Sequence, residues 1–311
     1  MKKLMLLLTF TVAGWTLTFN ASAKTIVTDG LVSYWNLNRS TINDRTVEDV
    51  WGENDATIAG DPKVVRGYIS QGLELDGLGD YVSLPNASNF ASQMGPYTFE
   101  IWFKTSNKKN WSAIYHVKEP PCHRNTSGNG ILLNAAWGGV DRETIVTKED
   151  TIFMQRSKKS GDSGCVGGSV RWDIGVSDGK WHHIVFTSRR PNQEELDKLR
   201  NVPLPPHGRH KPVGVGDCLT REFYLDTEPI LGSVGCSSGD IRPYTLPIFL
   251  GAENNQGKAS GFFQGVFDEV RIYDRALTEE EVIRNYESGI GLSVEPIQKL
   301  STVWGALKAK P

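Results

Sequence analysis

With 311 residues and a formal net charge of −2, the chain lacks the basic face that nucleic-acid binding demands. It holds 32 glycines and 9 tryptophans and few helix-period stretches, which points to an all-β protein. Residues 1–23 read as a secretory signal. Met1-Lys2-Lys3 is the basic start, Leu4 to about Phe19 the apolar middle, and Ala21-Ser22-Ala23 the cleavage end before Lys24. The apolar run is shorter than the ~20 residues of a spanning helix. No Cys follows it to take a lipid, and no second long apolar run appears. A secreted or periplasmic protein is expected, and losing Lys2 and Lys3 with the leader leaves a charge of −4.

Residues 24–290 are long enough for one large β domain, a type that runs to roughly 200–250 residues. Short alternating runs bounded by turn residues follow one another. They are GLVSYWNL (30–37), GLELD (72–76), YVSLP (81–85), YTFEIWFKT (97–105), SAIYHV (112–117) and GILLNAAW (130–137). Then come ETIVT (143–147), TIFMQR (151–156), SVRWDIGV (169–176), WHHIVFTS (181–188), PIFLGA (247–252) and FDEVRIYD (267–274). That number exceeds a small immunoglobulin-type sandwich and fits two broad stacked antiparallel sheets. Residues 189–218 break the rhythm with a short helical pattern, then prolines and charges, and read as a long surface insertion. Thr278 and Glu281 make a capping box, so a short helix should close the domain and stop at Gly289. Residues 291–311 read as an appended tail.

Four cysteines lie beyond the leader: Cys122, Cys165, Cys218 and Cys236. An even number in an exported chain suggests disulfides, with three possible connectivities. No Cys-x-x-Cys spacing favours metal instead. REFYLDTEPILGSV reads as a hairpin around a two-residue turn at Asp226-Thr227. Counting outward leaves Cys218 one step out of register with Cys236, which a bulge or a splayed hairpin end can absorb. Cys122 would then pair with Cys165.

Seven stretches, in order, resemble the LamG-like jellyroll domains of the concanavalin A-like lectin/glucanase superfamily. They are DGLVSYWNL (29–37), GLELDGLGDYVSLP (72–85), YTFEIWFKT, DGKWHHIVFT (178–187), FYLDTEPI (223–230), PIFLGA and FQGVFDEVRIYDRALTEEEV. The resemblance implies a two-sheet antiparallel jellyroll β-sandwich, a fold that hosts lectins, adhesion modules and glycan-cleaving enzymes alike. Related glucanases carry their carboxylates on one strand as Glu-x-Asp-x-Glu. ELDGLG (74–79) and ELDKLR (195–200) lack the third carboxylate. No Gly-x-Ser-x-Gly, His-Glu-x-x-His or phosphate-binding loop appears either. His182 and His183 sit on a strand that the family uses structurally.

The reading is therefore a non-catalytic module that binds a polysaccharide or glycoconjugate. A polysaccharide lyase or glycoside hydrolase is the alternative, and a protein-contact domain the third. Strand alternation leaves Glu100 and Trp102 opposite Phe99, Ile101 and Phe103, sets Arg171 and Asp173 opposite Trp172, and splits His116 from Tyr115. Glu100, Trp102, His116, Arg171 and Asp173 are expected to form one sugar-binding patch. In similar jellyrolls the Asp of the last long strand binds a structural Ca²⁺ with oxygens from the first strand. The matching residues are Asp268 and Asn38, with Asp76 as a further oxygen. Glu269 should point the other way, solvated or paired with Arg271.

Overall fold

The computed structural model describes residues 25–90, 96–108, 111–118, 129–134, 151–160, 164–172, 174–201, 218–236, 241–242 and 245–288. The first strands are β1 (Leu31–Trp35), β2 (Ile42–Asn43), β3 (Thr46–Val47), β4 (Ala56–Ala59), β5 (Lys63–Arg66), β6 (Gln71–Asp76) and β7 (Tyr81–Asn86). Next come β8 (Tyr97–Lys104), β9 (Ser112–Val117), β10 (Asn129–Leu133), β11 (Ile152–Ser160), β12 (Gly164–Trp172), β13 (Trp181–Arg189) and helix α1 (Gln193–Asn201). The last are β14 (Cys218–Leu225), β15 (Glu228–Cys236), β16 (Ile241–Arg242), β17 (Pro247–Leu250), β18 (Glu253–Asn255), β19 (Lys258–Ser260), β20 (Gln264–Tyr273) and helix α2 (Glu279–Glu287).

One sheet runs β15-β14-β13-β8-β20-β6-β5, with β1 also on β20; we call it the front sheet. The back sheet runs β12-β11-β10-β9-β17-β7-β4-β3-β2, with β16 on β11. All ladders in both sheets are antiparallel. The sheets face each other across one apolar core, as a jellyroll sandwich does. Phe99, Ile101 and Phe103 of β8 meet Ile114 and Val117 of β9, with Leu250 and Val82 beside them. Removing the fully buried Phe103 ring would cost about 3–5 kcal/mol. The two- and three-residue strands β2, β3, β18 and β19 are too short to show an alternating apolar run, so the sequence gives no warning of them.

Three local expectations meet their structure here. The β14–β15 turn holds Asp226 at φ 51° and Thr227 at φ 77°, the two positive values of a type I′ hairpin. A bulge between Phe223 and Tyr224 then shifts the register, and Cys218 stands opposite Cys236 in the ladder. The side chains of Cys165, Cys218 and Cys236, and all of Cys122, lie outside the described residues. The capping box of α2 is formed: the Glu281 N–H donates to Thr278 Oγ1 at 3.3 Å, and the Thr278 N–H donates to Glu281 Oε2 at 2.9 Å. The insertion opens with α1 and then leaves the described residues, as do the leader, ETIVT, Gly289 and the tail.

The last strand departs from simple alternation. Asp268 pairs with Trp102 and Arg271 with Glu100, so β20 spends one more residue than β8 across this interval. The extra residue is Glu269, at φ 54°. Such a bulge re-aims side chains. Glu269 therefore lies on the same outer face as Asp268 and Arg271, fully buried, rather than on the opposite one. Its expected pairing with Arg271 does form.

Candidate ligand-binding surface

Ladder registers lay out the outer face of the front sheet in rows. One row crosses Val185, Glu100, Arg271 and Tyr34. The next crosses His183, Trp102 and Asp268. A third crosses Trp181, Lys104, Val266, Glu74 and Lys63. Burial falls steeply along this sequence of rows.

The first row is sealed. Helix α2 and residues 26–31 cover it with Ile26, Val27, Leu277 and Val282. Glu100, at 0% exposure, pairs with Arg271, contacts His183 Nε2 at 3.0 Å and accepts from Asn285 Nδ2 at 2.7 Å. Burial alone would push its carboxyl up, but Arg271, His183 and Asn285 outweigh that and hold it at about 2. Glu269 pairs with Arg271 and accepts from the Tyr34 hydroxyl at 2.6 Å. A charge this well enclosed is structural, since no ligand can reach it without lifting α2.

The second row is an aromatic stack. Trp102 is 2% exposed. His183 lies 4.7 Å from it and Tyr286 of α2 5.0 Å, centroid to centroid. Tyr68 stacks on it at 3.4 Å and 12°, and is itself 37% exposed. Trp181 stands 6.1 Å from Tyr68 at 65°, closing an aromatic corner. The turn that carries Tyr68 is pinned from below, because the Ile69 N–H donates to Asp268 Oδ2 at 2.9 Å. A Cβ on Gly67 would stand 2.5 Å from that oxygen, so the turn can sit this low only with glycine there. Beside the corner, the His182 ring bridges Asp226 Oδ2 at 2.7 Å and Asp178 Oδ1 at 3.1 Å. The bond to Asp226 does most to raise the His182 pKa.

The third row is open. Lys104, Glu74 and Lys63 are exposed and Val266 is half-buried. They floor a cleft of about 1110 Å³, rimmed by Asn107 and Gln264. Glu74 and Asp76 share this face of β6. Asp76 is committed to its own turn, accepting from the Leu78 N–H at 2.7 Å and the Gly79 N–H at 3.2 Å. Those bonds lower its pKa, the opposite of what a general acid needs.

The described members of the five-residue patch divide between the two sheets. Glu100 and Trp102 belong to the front sheet and are covered. His116 is buried on β9 of the back sheet, opposite Phe249, and Arg171 stands on β12 of that same sheet. Asp173 lies outside the described residues. Alternation tells which residues share a face of one strand, but not which sheet a strand joins, and β8 and β9 go to opposite sheets. Of Glu100, Trp102 and His116, Trp102 is the one that reaches the candidate surface, as the floor under Tyr68. Sequence reasoning missed Tyr68, which sits in a turn without periodicity. It also missed Trp181, although DGKW marks an aromatic at a strand mouth.

The metal set also divides. Asn38 Oδ1 accepts from the Gln71 N–H at 3.0 Å, so Asn38 and Asp268 grip the same turn. Asp76 is four residues away along β20, opposite Gln264, and belongs to a different turn. Among the described residues no three His, Cys, Asp or Glu gather as a metal cluster. Asp268 Oδ1, however, is buried without a hydrogen-bond partner. Burial, then the neighbouring Glu269 charge, raise the Asp268 carboxyl to about 9.

The family model Laminin_G_3, described as the concanavalin A-like lectin/glucanases superfamily, matches residues 76–197 and 199–283. Among solved structures, Trypanosoma rangeli sialidase in complex with sialic acid aligns with a TM-score of 0.52 and 16% identity, covering 86% of this chain and 35% of that one. The binding domain of Paraclostridial Mosquitocidal Protein 1 aligns at 0.50 and 14% identity, covering 83% and 52%. Domain 4 of AbnA, a GH43 extracellular arabinanase from Geobacillus stearothermophilus, in complex with arabinotriose, aligns at 0.49 and 16%, covering 83% and 98%. The chain thus spans about a third of the sialidase and about half of the mosquitocidal chain. At these identities the likeness to the sialidase and to the mosquitocidal binding domain shows the fold alone. No curated protein matches the chain.

Proposed function

The chain belongs to the concanavalin A-like lectin/glucanases superfamily through Laminin_G_3, and from that premise we propose that it is an exported, non-catalytic module that binds carbohydrate at the Tyr68–Trp181 corner. The observation that carries this reading is an accessible aromatic corner beside a polar cleft. Ring faces take the C–H side of a sugar, while neighbouring amides and charges take its hydroxyls. Trp102, buried beneath Tyr68, fixes the platform before a ligand arrives and so reduces the ordering cost of binding. Asp76, tied to its turn with a lowered pKa, is a poor general acid, and this supports binding over cleavage. A glycan array followed by calorimetry tests the proposal. Tyr68→Ala and Trp181→Ala should each weaken binding at least tenfold, while the same protein releases no reducing ends or unsaturated products. Turnover of any polysaccharide that Glu74→Gln abolishes would overturn the non-catalytic reading.

Ca²⁺ remains part of the proposal, at Asp268 rather than at Asp76. The unpartnered Oδ1 and the raised carboxyl pKa fit a group that would sit better against a cation. The ion would supply charge neutralisation beneath the Tyr68 turn, with Asp268 and Asn38 holding that turn. Melting temperature should rise with added Ca²⁺, and Asp268→Ala should remove the rise. We also propose the Cys218–Cys236 disulfide, supported by their facing positions in the ladder, together with Cys122–Cys165. Unreduced peptide mapping decides both, and a Cys165–Cys218 peptide would refute them.

A further inference from the structure

The open row carries more than a single sugar ring needs. Trp181, Lys104, Val266, Glu74 and Lys63 stand on five adjacent strands, β13, β8, β20, β6 and β5. Strands lie about 4.8 Å apart, so the row spans about 19 Å across the sheet. It has an aromatic end, where Trp181 and Tyr68 meet, and a polar end at Lys63. The last four residues floor the same cleft. Among the described residues, no ion pair engages Lys104, Glu74 or Lys63, so their charged ends are available to a ligand.

We propose that this cleft binds a linear, uncharged glycan of several sugar units, lying across the strands with one end stacked at Trp181 and the other reaching Lys63. The inference rests on the carbohydrate-binding reading above and deepens it. The length of the row calls for a chain, not a monosaccharide. An anionic glycan is disfavoured by the lining, where Asp61, Glu74, Asp76 and Asp80 outnumber Lys63 and Lys104. A polyuronate or sulfated chain laid there would meet net repulsion, whereas hydroxyls can accept from the ammoniums and donate to the carboxylates in turn. The two ends then contribute differently. Stacking at Trp181 serves any ligand, and the Lys63 contact serves only ligands long enough to arrive there.

Calorimetry with neutral arabinan, xylan, mannan and β-glucan oligosaccharides of two to six units, and with polygalacturonate fragments of matched length, tests this. At least one neutral series should tighten with each added unit to about four and then level off. Trp181→Ala should weaken both the dimer and the tetramer. Lys63→Ala should leave the dimer unchanged and weaken the tetramer about tenfold, the loss of a charge-assisted hydrogen bond. Equal affinity for dimer and tetramer, an unaffected tetramer in Lys63→Ala, or preference for the polygalacturonate would overturn the proposal. In each of those cases the Tyr68–Trp181 binding reading stands. Absence of binding to any glycan would remove both.

Discussion

Two ends of the same sheet face were built from the same kind of residue and came to opposite fates. At one end Glu100, Arg271 and Glu269 are buried under α2 and residues 26–31. At the other, Lys104, Glu74 and Lys63 stand open over a cleft. Alternation along β8 gives Glu100, Trp102 and Lys104 one direction, yet the three are respectively sealed, stacked and solvated. What separates them is not the strand but what distant parts of the chain lay over it: residues 26–31 and Asn285 over Glu100, and Tyr68 over Trp102. A polar strand face is therefore not by itself a binding face.

The contrast can be broken most severely at Arg271. Arg271→Ala would leave Glu100 and Glu269 buried without their cation and should cost about 3–5 kcal/mol in denaturant unfolding. A loss under about 1 kcal/mol would mean that the row is wetter than its burial indicates. A smaller effect separates the ends by pH. The folded pKa of Glu100, about 2, lies below its ordinary 4.5, so its contribution is present above about pH 4.5 and lost as pH falls toward 2. His182, at the rim of the open end, has a raised pKa, held chiefly by Asp226. Its contribution is present below its ordinary 6.5 and lost as pH rises through the higher folded value. Unfolding measured across pH should show both slopes. Glu100→Gln should reduce the acid slope, to which Asp178 and Glu195 also contribute, and His182→Gln should reduce the alkaline one. The smallest effect belongs to the open row, where Lys104→Ala should stay within about 0.5 kcal/mol of wild type.

Much of the fold was legible because local rules carry it. The type I′ turn, the bulge that brings Cys218 opposite Cys236, and the Thr278–Glu281 capping box all depend on residues close in sequence. The candidate surface was not, for two physical reasons. Assigning β8 to one sheet and β9 to the other depends on long-range pairing that alternation does not encode. Glu269 defeats alternation outright, since one inserted residue with positive φ turns a carboxylate read as outward into a buried partner of Arg271 and Tyr34. Asp268 was singled out as a metal ligand, and what it grips is the turn that lifts Tyr68.

The clasp between α2 and the first described residues bears on how the module would carry a mechanical load. The Val27 N–H donates to Asn285 Oδ1 at 2.7 Å, the Tyr273 hydroxyl donates to the Val27 carbonyl at 3.1 Å, and Arg284 Nε donates to the Thr25 carbonyl at 2.8 Å. A pull applied at residues 25 and 288 would run through these few bonds and the small apolar patch around them, reaching the front sheet first at Tyr273, the end of β20. The Trp181 and Lys63 ends of the cleft lie off that load path. A tethered module of this design would yield first at its clasp, and because Tyr286 of α2 stacks against Trp102, that yielding would loosen the platform beneath Tyr68 while the Lys63 end kept its place.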